Sequence, residues 1–444
     1  MDLSPLRRRD FRLLYLGQFV SFFGSMMSYV ALPFALYAAT KSTIWTGIMG
    51  AVQLGPSVVG GLVGGALADS VDRRKLIVLC ELGMAAIVLA LGVSMTLLKP
   101  LYPDPLWILA AAAALSVLNG FHRPALEALS PRLVDKHQMP ALGVLNSLRG
   151  NVGMIGGPAV AGILISTGGA DYAFYLDFVS FVICIGAVLA IRHVPPVEKA
   201  ATFSLAAVRE GYRYAVSRPD LVGTYVVDII AMTFSMPNLL FPAVADALGG
   251  TQYLGWLHSG ISLGALGATL TSRFYLTTRR HGLMILLAAG AWSICMVGFG
   301  MAKTFPVAMF FLLLAGYADM ISAVFRQTIW NQTIPDELRG RLAGIEMISY
   351  LSGPMIGNTQ LGVLSSALGI QRAITVSSLI GVAGVAACAR AIPGLYNYLA
   401  PELGRPSLTA PDPAVVGPDG ATPGHQPTAT KTSDLHDGPG QSVI

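Results

Sequence analysis

Apolar runs of roughly 20 residues recur along most of this 444-residue chain, and they limit what it can fold into. As a helix, each run is long enough to cross about 30 Å of hydrocarbon. Only 12% of the residues are charged, whereas about a quarter is usual in soluble proteins. The sequence therefore predicts an all-α integral membrane protein. Its twelve predicted spans are residues 11–38, 44–68, 76–98, 106–127, 140–166, 172–191, 220–245, 252–276, 283–302, 306–332, 342–366 and 371–392.

The distribution of basic residues predicts the orientation of these spans. With the N-terminus inside, only Lys41, Lys99, Lys303 and Arg372 of the 29 lysines and arginines fall in outside turns. Such an asymmetry is typical of cytoplasmic loops in membrane proteins. The net charge of +5 therefore reflects topology and does not indicate nucleic-acid binding. Both termini are expected to be cytoplasmic.

The organisation predicted along the chain is six spans, a linker and six more spans. The linker contains a Pro-Pro break followed by apolar residues at helical spacing, so we expect an amphipathic helix on the inner membrane surface. The last residues are rich in Pro, Gly, Thr and Asp, which is typical of disorder. The predicted units are residues 1–191, 192–219, 220–393 and 394–444.

Internal repeats appear in the fifth span of each half. Gly153, Gly157 and Pro158 lie in one, and Gly353 and Pro354 lie in the other. Small residues let helices approach closely, and proline kinks them, so these positions predict helix packing. Two parallel repeats of six helices are typical of secondary transporters, which bind substrate near the midplane between the repeats.

The segment GGALADSVDRRK, residues 64–75, resembles the loop signature that follows the second helix in the major facilitator superfamily. The positions that match its glycine, acid and paired bases are Gly65, Asp69, Arg73 and Arg74. Ser70 stands where a base is usual, and Asp72 stands where a glycine is usual.

Further stretches, residues 11–25, 129–148 and 316–344, are similar to the drug-exporter branch that includes enterobactin exporters and macrolide-efflux proteins. In the first span Ser25 follows the glycine, where related exporters often carry an acid. The resemblance implies a twelve-helix fold in the cytoplasmic membrane of a bacterium. It also implies proton-driven export of small amphipathic molecules, such as siderophores or drugs, by a monomer that contacts lipid and needs no cofactor or metal.

The resemblance implies a gating role for the loop at residues 64–75. Asp69 is expected to pair with bases or a helix N-terminus of the other half and so to hold the inner side closed. The alternative for Arg73 and Arg74 is that they only anchor the loop on the inner side.

Charges inside spans cost about 2.5–3.5 kcal/mol each on insertion scales, so they are candidate functional groups. Asp228 in the seventh span and Asp319 in the tenth are therefore the predicted proton-coupling residues. Two structural alternatives stay open at this point. Asp319 can pair with Arg326 on its own helix, and Asp228 can bond to neighbouring helices.

The predicted substrate cavity includes Arg149 with its neighbours Asn146 and Asn151, together with Met232 and Arg326. Arg149 has three interpretations: attraction of an anionic substrate, pairing with an acid from another helix, or snorkelling to the inner surface. Three further charged residues are assigned structural positions. Asp177 is expected at the outer interface, and Arg123 and Glu127 are expected to form a local pair.

Two enzymatic motifs are lacking in the sequence: it has no GxxxxGK[ST] and no HExxH. Its four cysteines lie far apart inside apolar runs, which is typical of buried thiols. The sequence therefore predicts a transporter and not an enzyme. The competing hypotheses are an importer or facilitator of a polar nutrient, and a membrane scaffold or sensor that does not transport.

Overall fold

The computed structural model describes residues 2–98, 103–192 and 213–400, and these residues are almost wholly helical. Each predicted span corresponds to one long helix, except the seventh, which is split in two. The helices are α1 (Arg9–Thr40), α2 (Thr43–Ser70), α3 (Arg73–Leu97), α4 (Pro105–Leu129), α5 (Met139–Thr167), α6 (Ala170–Leu189), α7 (Pro219–Ser235), α8 (Phe241–Ala247), α9 (Leu254–Leu270), α10 (His281–Met301), α11 (Phe305–Thr333), α12 (Asp336–Leu368), α13 (Ile370–Ala391) and α14 (Pro393–Tyr396).

Ten segments of the described chain are long and apolar enough to span a membrane, counting α7 and α8 as one. The two remaining predicted spans correspond to α9, with 17 residues, and α12, with 33 residues. The expected all-helical membrane fold is thus confirmed. The largest shifts in span boundaries are at the end of α9 and the start of α12, each six residues earlier than predicted.

The seventh span is not continuous, which corrects the uninterrupted helix predicted for residues 220–245. Helix α7 ends at Ser235, and Met236 is extended, with φ −118° and ψ 93°. The cause is Pro237, because proline disfavours the α conformation of the preceding residue and donates no backbone hydrogen bond. One of the interrupted backbone groups is satisfied from another helix, since Leu239 N donates to the Asn358 side chain at 2.9 Å.

Helices α1–α6 contact α7–α13 at two points where backbones meet. A Cβ atom on Gly47 of α2 would lie 2.8 Å from Cα of Gly362 on α12. Likewise, a Cβ atom on Gly162 of α5 would lie 2.6 Å from Cα of Gly255 on α9. Only glycine allows this approach, so no side chain separates the helices at these contacts.

Arginines gather at one end of the helices, which we call the basic end. It carries Arg9, Arg73, Arg132, Arg192, Arg218 and Arg279, and the other end is called the opposite end. Among the described residues, five side-chain hydrogen bonds between α1–α6 and the later helices lie on the half toward the opposite end. These bonds join Tyr29 to Asn238, Tyr37 to Asp246, Thr43 to Gly362, Gly47 to Thr359, and Ile155 to Ser259.

Two predicted units extend beyond the described residues. Most of the linker, residues 193–212, and most of the tail, residues 401–444, lie outside them. Ordered packing continues past the predicted boundary at residue 393, because Leu395 is fully buried. Ala400 N also donates to the carbonyl of Arg279 at 2.8 Å. The proposed division into two six-helix units stays a prediction.

Candidate functional site

An ion pair joins two helices of the second group, by which we mean α7–α13; the first group is α1–α6. The Arg326 guanidinium on α11 contacts the Asp228 carboxylate on α7, and both side chains are nearly buried. Asp228 lies about 13 Å from the first residue of α7, at 1.5 Å per residue. The pair favours the alternative in which Asp228 bonds to a neighbouring helix, and it shows that Arg326 is used there.

Asp319 lies on α11 within electrostatic reach of both members of that pair. It makes no hydrogen bond or ion pair with another described residue, and its side chain is only partly buried. The alternative in which Asp319 pairs with Arg326 is therefore wrong in this conformation. We refer to Asp228, Asp319 and Arg326 as the acid–arginine cluster.

The acid–arginine cluster borders open space. Tyr350 on α12 is 60% exposed, although it lies within electrostatic reach of all three cluster residues and of Arg123 on α4. Glu346, one turn earlier on α12, is within reach of Arg326 and Arg123. Charged side chains from α4, α7, α11 and α12 therefore approach one another beside the exposed side chains of Tyr350 and Arg123, and we call the space beside these two residues the cavity.

Helix α5 contributes Arg149 to the same region. Its guanidinium carbon lies 6.0 Å from the ring centroid of Phe22, a weak cation–π contact. Arg149 is also within electrostatic reach of Glu127 and Arg123. Asn146 is half-buried, whereas the neighbouring Asn151 is exposed. The helix thus places one basic group near the cavity without giving it an ion pair to another described residue.

Arg123 and Glu127 form the expected local pair, with Nε 2.9 Å from the carboxylate, and both are mostly exposed. This exposure shows that the described conformation is open to solvent at this point of the basic end. An exposed pair of this kind contributes little to stability.

The Gly-Pro segments of α5 and α12 occupy equivalent places in the two groups. A Cβ atom on Gly157 would lie 3.0 Å from the carbonyl oxygen of Phe23 on α1. A Cβ atom on Gly353 would lie 2.9 Å from Cβ of Met232 on α7. Met232 itself is half-buried, one turn from Asp228. The members of these segments, Gly153, Gly157, Pro158, Gly353 and Pro354, all lie inside continuous helix.

The loop at residues 64–75 is arranged around the start of α3. Asp72, the unusual residue of the signature, caps α3 by accepting a hydrogen bond from Arg74 N at 2.9 Å. The Arg74 side chain donates to the carbonyls of Val188 and Leu189 at the end of α6. Arg73 is buried. Arg74 therefore satisfies carbonyl groups that a helix end leaves free.

The structure says less about the two other residues of the predicted gate, Gly65 and Asp69. No described heavy atom lies within 4 Å of a Cβ atom on Gly65. The Asp69 side chain lies outside the described residues, so its gating role stays a prediction.

The break between α7 and α8 forms a polar site that the sequence analysis missed. Asn358 Nδ2 donates to the side-chain oxygen of Asn238 at 2.6 Å, and Asn238 bonds in turn to the Tyr29 hydroxyl. This chain of bonds joins α12, the α7–α8 break and α1. Discontinuous helices commonly border substrate sites in transporters. The proline in FSMPN was the available signal, because a proline inside a span often accompanies such a break.

A second missed site lies wholly within α1–α6. Glu81 on α3 has no exposed side-chain surface and contacts His122 on α4, with 3.0 Å between Oε1 and Nε2. Its other partners are Gln18, Ser21 and Cys184. A single acid in an otherwise apolar run was the only signal in the sequence.

Asp177 is enclosed by packing between helices. It is 1% exposed and accepts hydrogen bonds from Ser28 and Ser180. The expected interfacial depth of Asp177 stays a prediction, and the structure adds that other helices enclose its carboxylate. The hydroxyls of α1 and α6 supply the polar partners that the membrane interface would otherwise have provided.

An apolar groove of about 500 Å³ lies between α2 and α12. It is lined mainly by aliphatic residues, among them Leu54, Ile356 and Val363. The groove carries no charged side chain and is separate from the acid–arginine cluster.

Comparison with known proteins identifies relatives along nearly the whole described chain. The family described as "Transmembrane secretion effector" matches residues 1–397. The enterobactin exporter EntS of Escherichia coli O81 (strain ED1a) is 27% identical over 377 residues, which cover 82% of this chain and 88% of that protein. EntS of Shigella boydii serotype 18 (strain CDC 3083-94 / BS512) is also 27% identical, over 376 residues.

Solved structures share the fold at low sequence identity. A bacterial homologue of the human lysosomal transporter Spinster, inward-facing and unoccupied, aligns with a TM-score of 0.71 and 11% identity, covering 90% of this chain and all of the other. The nucleoside transporter NupG aligns with a TM-score of 0.69 and 13% identity, covering 86% of this chain and 98% of the other. These similarities establish the architecture, which is that of the major facilitator fold.

Proposed function

Because this chain belongs to the transmembrane secretion effector family of major facilitator transporters, which are not enzymes, we propose that it exports small amphipathic molecules. A siderophore of the catecholate type is the first candidate, because enterobactin exporters are among its relatives. The proposed mechanism is alternating access driven by proton entry. The proposed location is a bacterial cytoplasmic membrane, with the basic end in the cytoplasm.

The observation that carries this proposal is the acid–arginine cluster beside the cavity. Asp319 is partly exposed and lies within electrostatic reach of Arg326, which is paired with Asp228. A proton bound at Asp319 would remove its charge and leave Arg326 to Asp228 alone. Loss of that proton would place a second negative charge within electrostatic reach of Arg326 and weaken its pair with Asp228, so the cluster has two charge states that a proton selects.

Substrate recognition is proposed for the same cavity. Arg149, which pairs with no other described residue, supplies a positive charge for an anionic or catecholate group. Asn146 and Met232 supply a polar and an adaptable apolar neighbour. Small amphipathic molecules fit such a mixture better than strongly hydrated nutrients do.

Transport into inverted membrane vesicles tests direction and coupling together. Export predicts that enterobactin accumulates inside vesicles with an acidic lumen, and that a protonophore abolishes the accumulation. A panel of drugs serves as the second set of substrates. Vesicles carrying the Asp319→Asn variant at equal expression provide the matched control.

Two results would contradict the proposal. Downhill uptake by whole cells, without loading of inverted vesicles, would indicate an importer or facilitator. No transport of any compound in the panel, combined with a cellular phenotype that depends on the chain, would indicate a scaffold or sensor.

A further inference from the structure

The buried contact between Glu81 and His122 is not used by the proposed mechanism. It lies in α1–α6, whereas the acid–arginine cluster lies in α7 and α11. Glu81 is about 12 Å from the start of α3, and His122 is about 10 Å from the end of α4, so both lie at similar depth from the basic end. They therefore form a separate titratable centre inside the membrane.

Donors surround the Glu81 carboxyl group. Gln18 Nε2 donates to Oε1 at 3.0 Å, and the Ser21 hydroxyl lies 3.1 Å from Oε2. The Cys184 thiol lies 3.4 Å from Oε1. With His122 Nε2, which also lies 3.3 Å from Gln18 Nε2, this makes four polar partners that can each donate a hydrogen bond to the carboxyl group.

An ionised Glu81 needs a positive charge nearby, and among the described residues His122 is the group in contact that can supply it. No described lysine or arginine pairs with Glu81, and an uncompensated charge in this apolar interior is costly. A neutral His122 with its proton on Nε2 satisfies the hydrogen bond but leaves the charge of Glu81 in place. A second ring proton, on Nδ1, makes the pair neutral.

His122 is also the member of this centre that a proton from water can reach. Its side chain is 10% exposed, whereas that of Glu81 is 0% exposed. Gln18 and Ser21 are likewise nearly inaccessible. Protons thus have access to the imidazole and not to the carboxylate directly.

We propose that His122 is a proton-binding site of this protein, with Glu81 as its buried counter-ion. Proton binding converts neutral His122 and a hydronium ion into the imidazolium and water, and release is the reverse reaction. The site adds a second proton-carrying centre, in the half of the molecule that lacks the acid–arginine cluster. Its role in transport rests on the proposed function, whereas its protonation does not.

Other titratable groups near Glu81 are few among the described residues. Helix α3 brings Cys80, and α6 brings Cys184 and Asp177. Arg149 of α5 is within electrostatic reach of Cys184. Ser28 and Ser180 hold Asp177 through hydrogen bonds of its own. None of these groups is a base in contact with the Glu81 carboxylate, whereas His122 is.

The direct test is nuclear magnetic resonance of the full chain in lipid nanodiscs, with ¹⁵N in the histidine rings, across a pH series. Among the histidine signals, we expect one titrating imidazole signal that belongs to His122. It is lost in His122→Gln and displaced in Glu81→Gln. Both variants keep a side chain that can form a hydrogen bond at the same place. The control is Asp171→Asn, which changes a buried acid on α6 and should leave that signal unchanged.

A second test measures transport of enterobactin in proteoliposomes. His122→Gln should lower flux driven by a pH gradient by about tenfold or more, because a relay group is lost. Exchange of labelled for unlabelled enterobactin at equal pH on both sides should persist, since it moves no net protons. A merely structural role would lower both activities together.

The outcomes separate this proposal from the proposed function. A wild-type His122 signal that does not titrate, or one that is identical in Glu81→Gln, overturns the proposed site. Equal loss of driven flux and exchange overturns its role in coupling. If enterobactin is not transported while His122 titrates as expected, the substrate assignment fails and the proton site stands.

Discussion

Arg326 pairs across the helices with Asp228 and not with Asp319, which lies two turns away on its own helix. The choice follows from geometry, because seven residues of helix separate Asp319 and Arg326 by about 10 Å. The Asp228 carboxylate, on the neighbouring helix α7, contacts the guanidinium directly. Asp319 is consequently the member of the cluster without an ion pair to a described residue.

The Arg326–Asp228 pair should stabilise the fold only as a pair. Arg326→Gln leaves a nearly buried carboxylate, so we expect the unfolding free energy to fall by about 3 kcal/mol. Asp228→Asn combined with Arg326→Gln should recover most of that loss. Equilibrium unfolding in detergent micelles measures all three variants, and additive losses in the double variant would contradict the interpretation.

Asp319→Asn should abolish proton-linked transport while the protein still reaches the membrane. The amide keeps the size of the side chain but cannot bind and release a proton. We expect flux driven by a pH gradient to fall by about tenfold or more. Vesicles at matched expression supply the measurement, and normal pH-driven flux would remove Asp319 from the mechanism.

Asn358→Ala should destabilise closure of the opposite end. The change removes the acceptor for Leu239 N and the donor to Asn238, and an unsatisfied buried group costs about 1–3 kcal/mol. Spin labels at positions 41 and 372 would report a larger population of long distances. Ser366→Ala is the control, because that hydroxyl bonds only within its own helix. Unchanged distances in Asn358→Ala would count against the polar contact as a closing device.

Asp69→Ala should alter the balance between the two conformations more than it alters substrate affinity. If Asp69 holds the basic end closed, its loss should favour the state open at that end. Distances between labels at positions 132 and 279 give the balance, and substrate titration gives the affinity. A change in affinity alone would refute the gate, and Ser70→Ala provides the neighbouring control.

Removal of residues 401–444 should leave transport intact, because the packing of Leu395 and Ala400 is retained. Truncation after Ile392 should instead destabilise the protein by about 2 kcal/mol or more, since it removes the fully buried Leu395. Transport assays and thermal unfolding compare the two truncations. Loss of transport in the shorter deletion would assign the tail a direct role.

The spans were readable from the sequence because their apolar length is a property of single segments. The break at Pro237 was readable in principle, yet the compensating bond from Asn358 to Leu239 spans 119 residues. Glu81 was missed for a similar reason. Nothing in α3 alone shows that Gln18, His122 and Cys184 converge on it.

For Asp177, the sequence predicts its depth along the helix but not how far packing covers its side chain. Its position in the sequence suggested the interface, because a lone acid near a span end usually stays in water. The structure shows that protein also covers this side chain, since Ser28 and Ser180 come from two helices that pack closely at Gly24. Local sequence gives the depth along a helix, whereas only packing decides which face is covered.

The glycine contacts at Gly47–Gly362 and Gly162–Gly255 also bear on the passage of ions between the helices. Bare backbones touching at this distance leave no gap wide enough for a hydrated ion. We expect these contacts to restrict the passage of ions along the α2–α12 and α5–α9 interfaces.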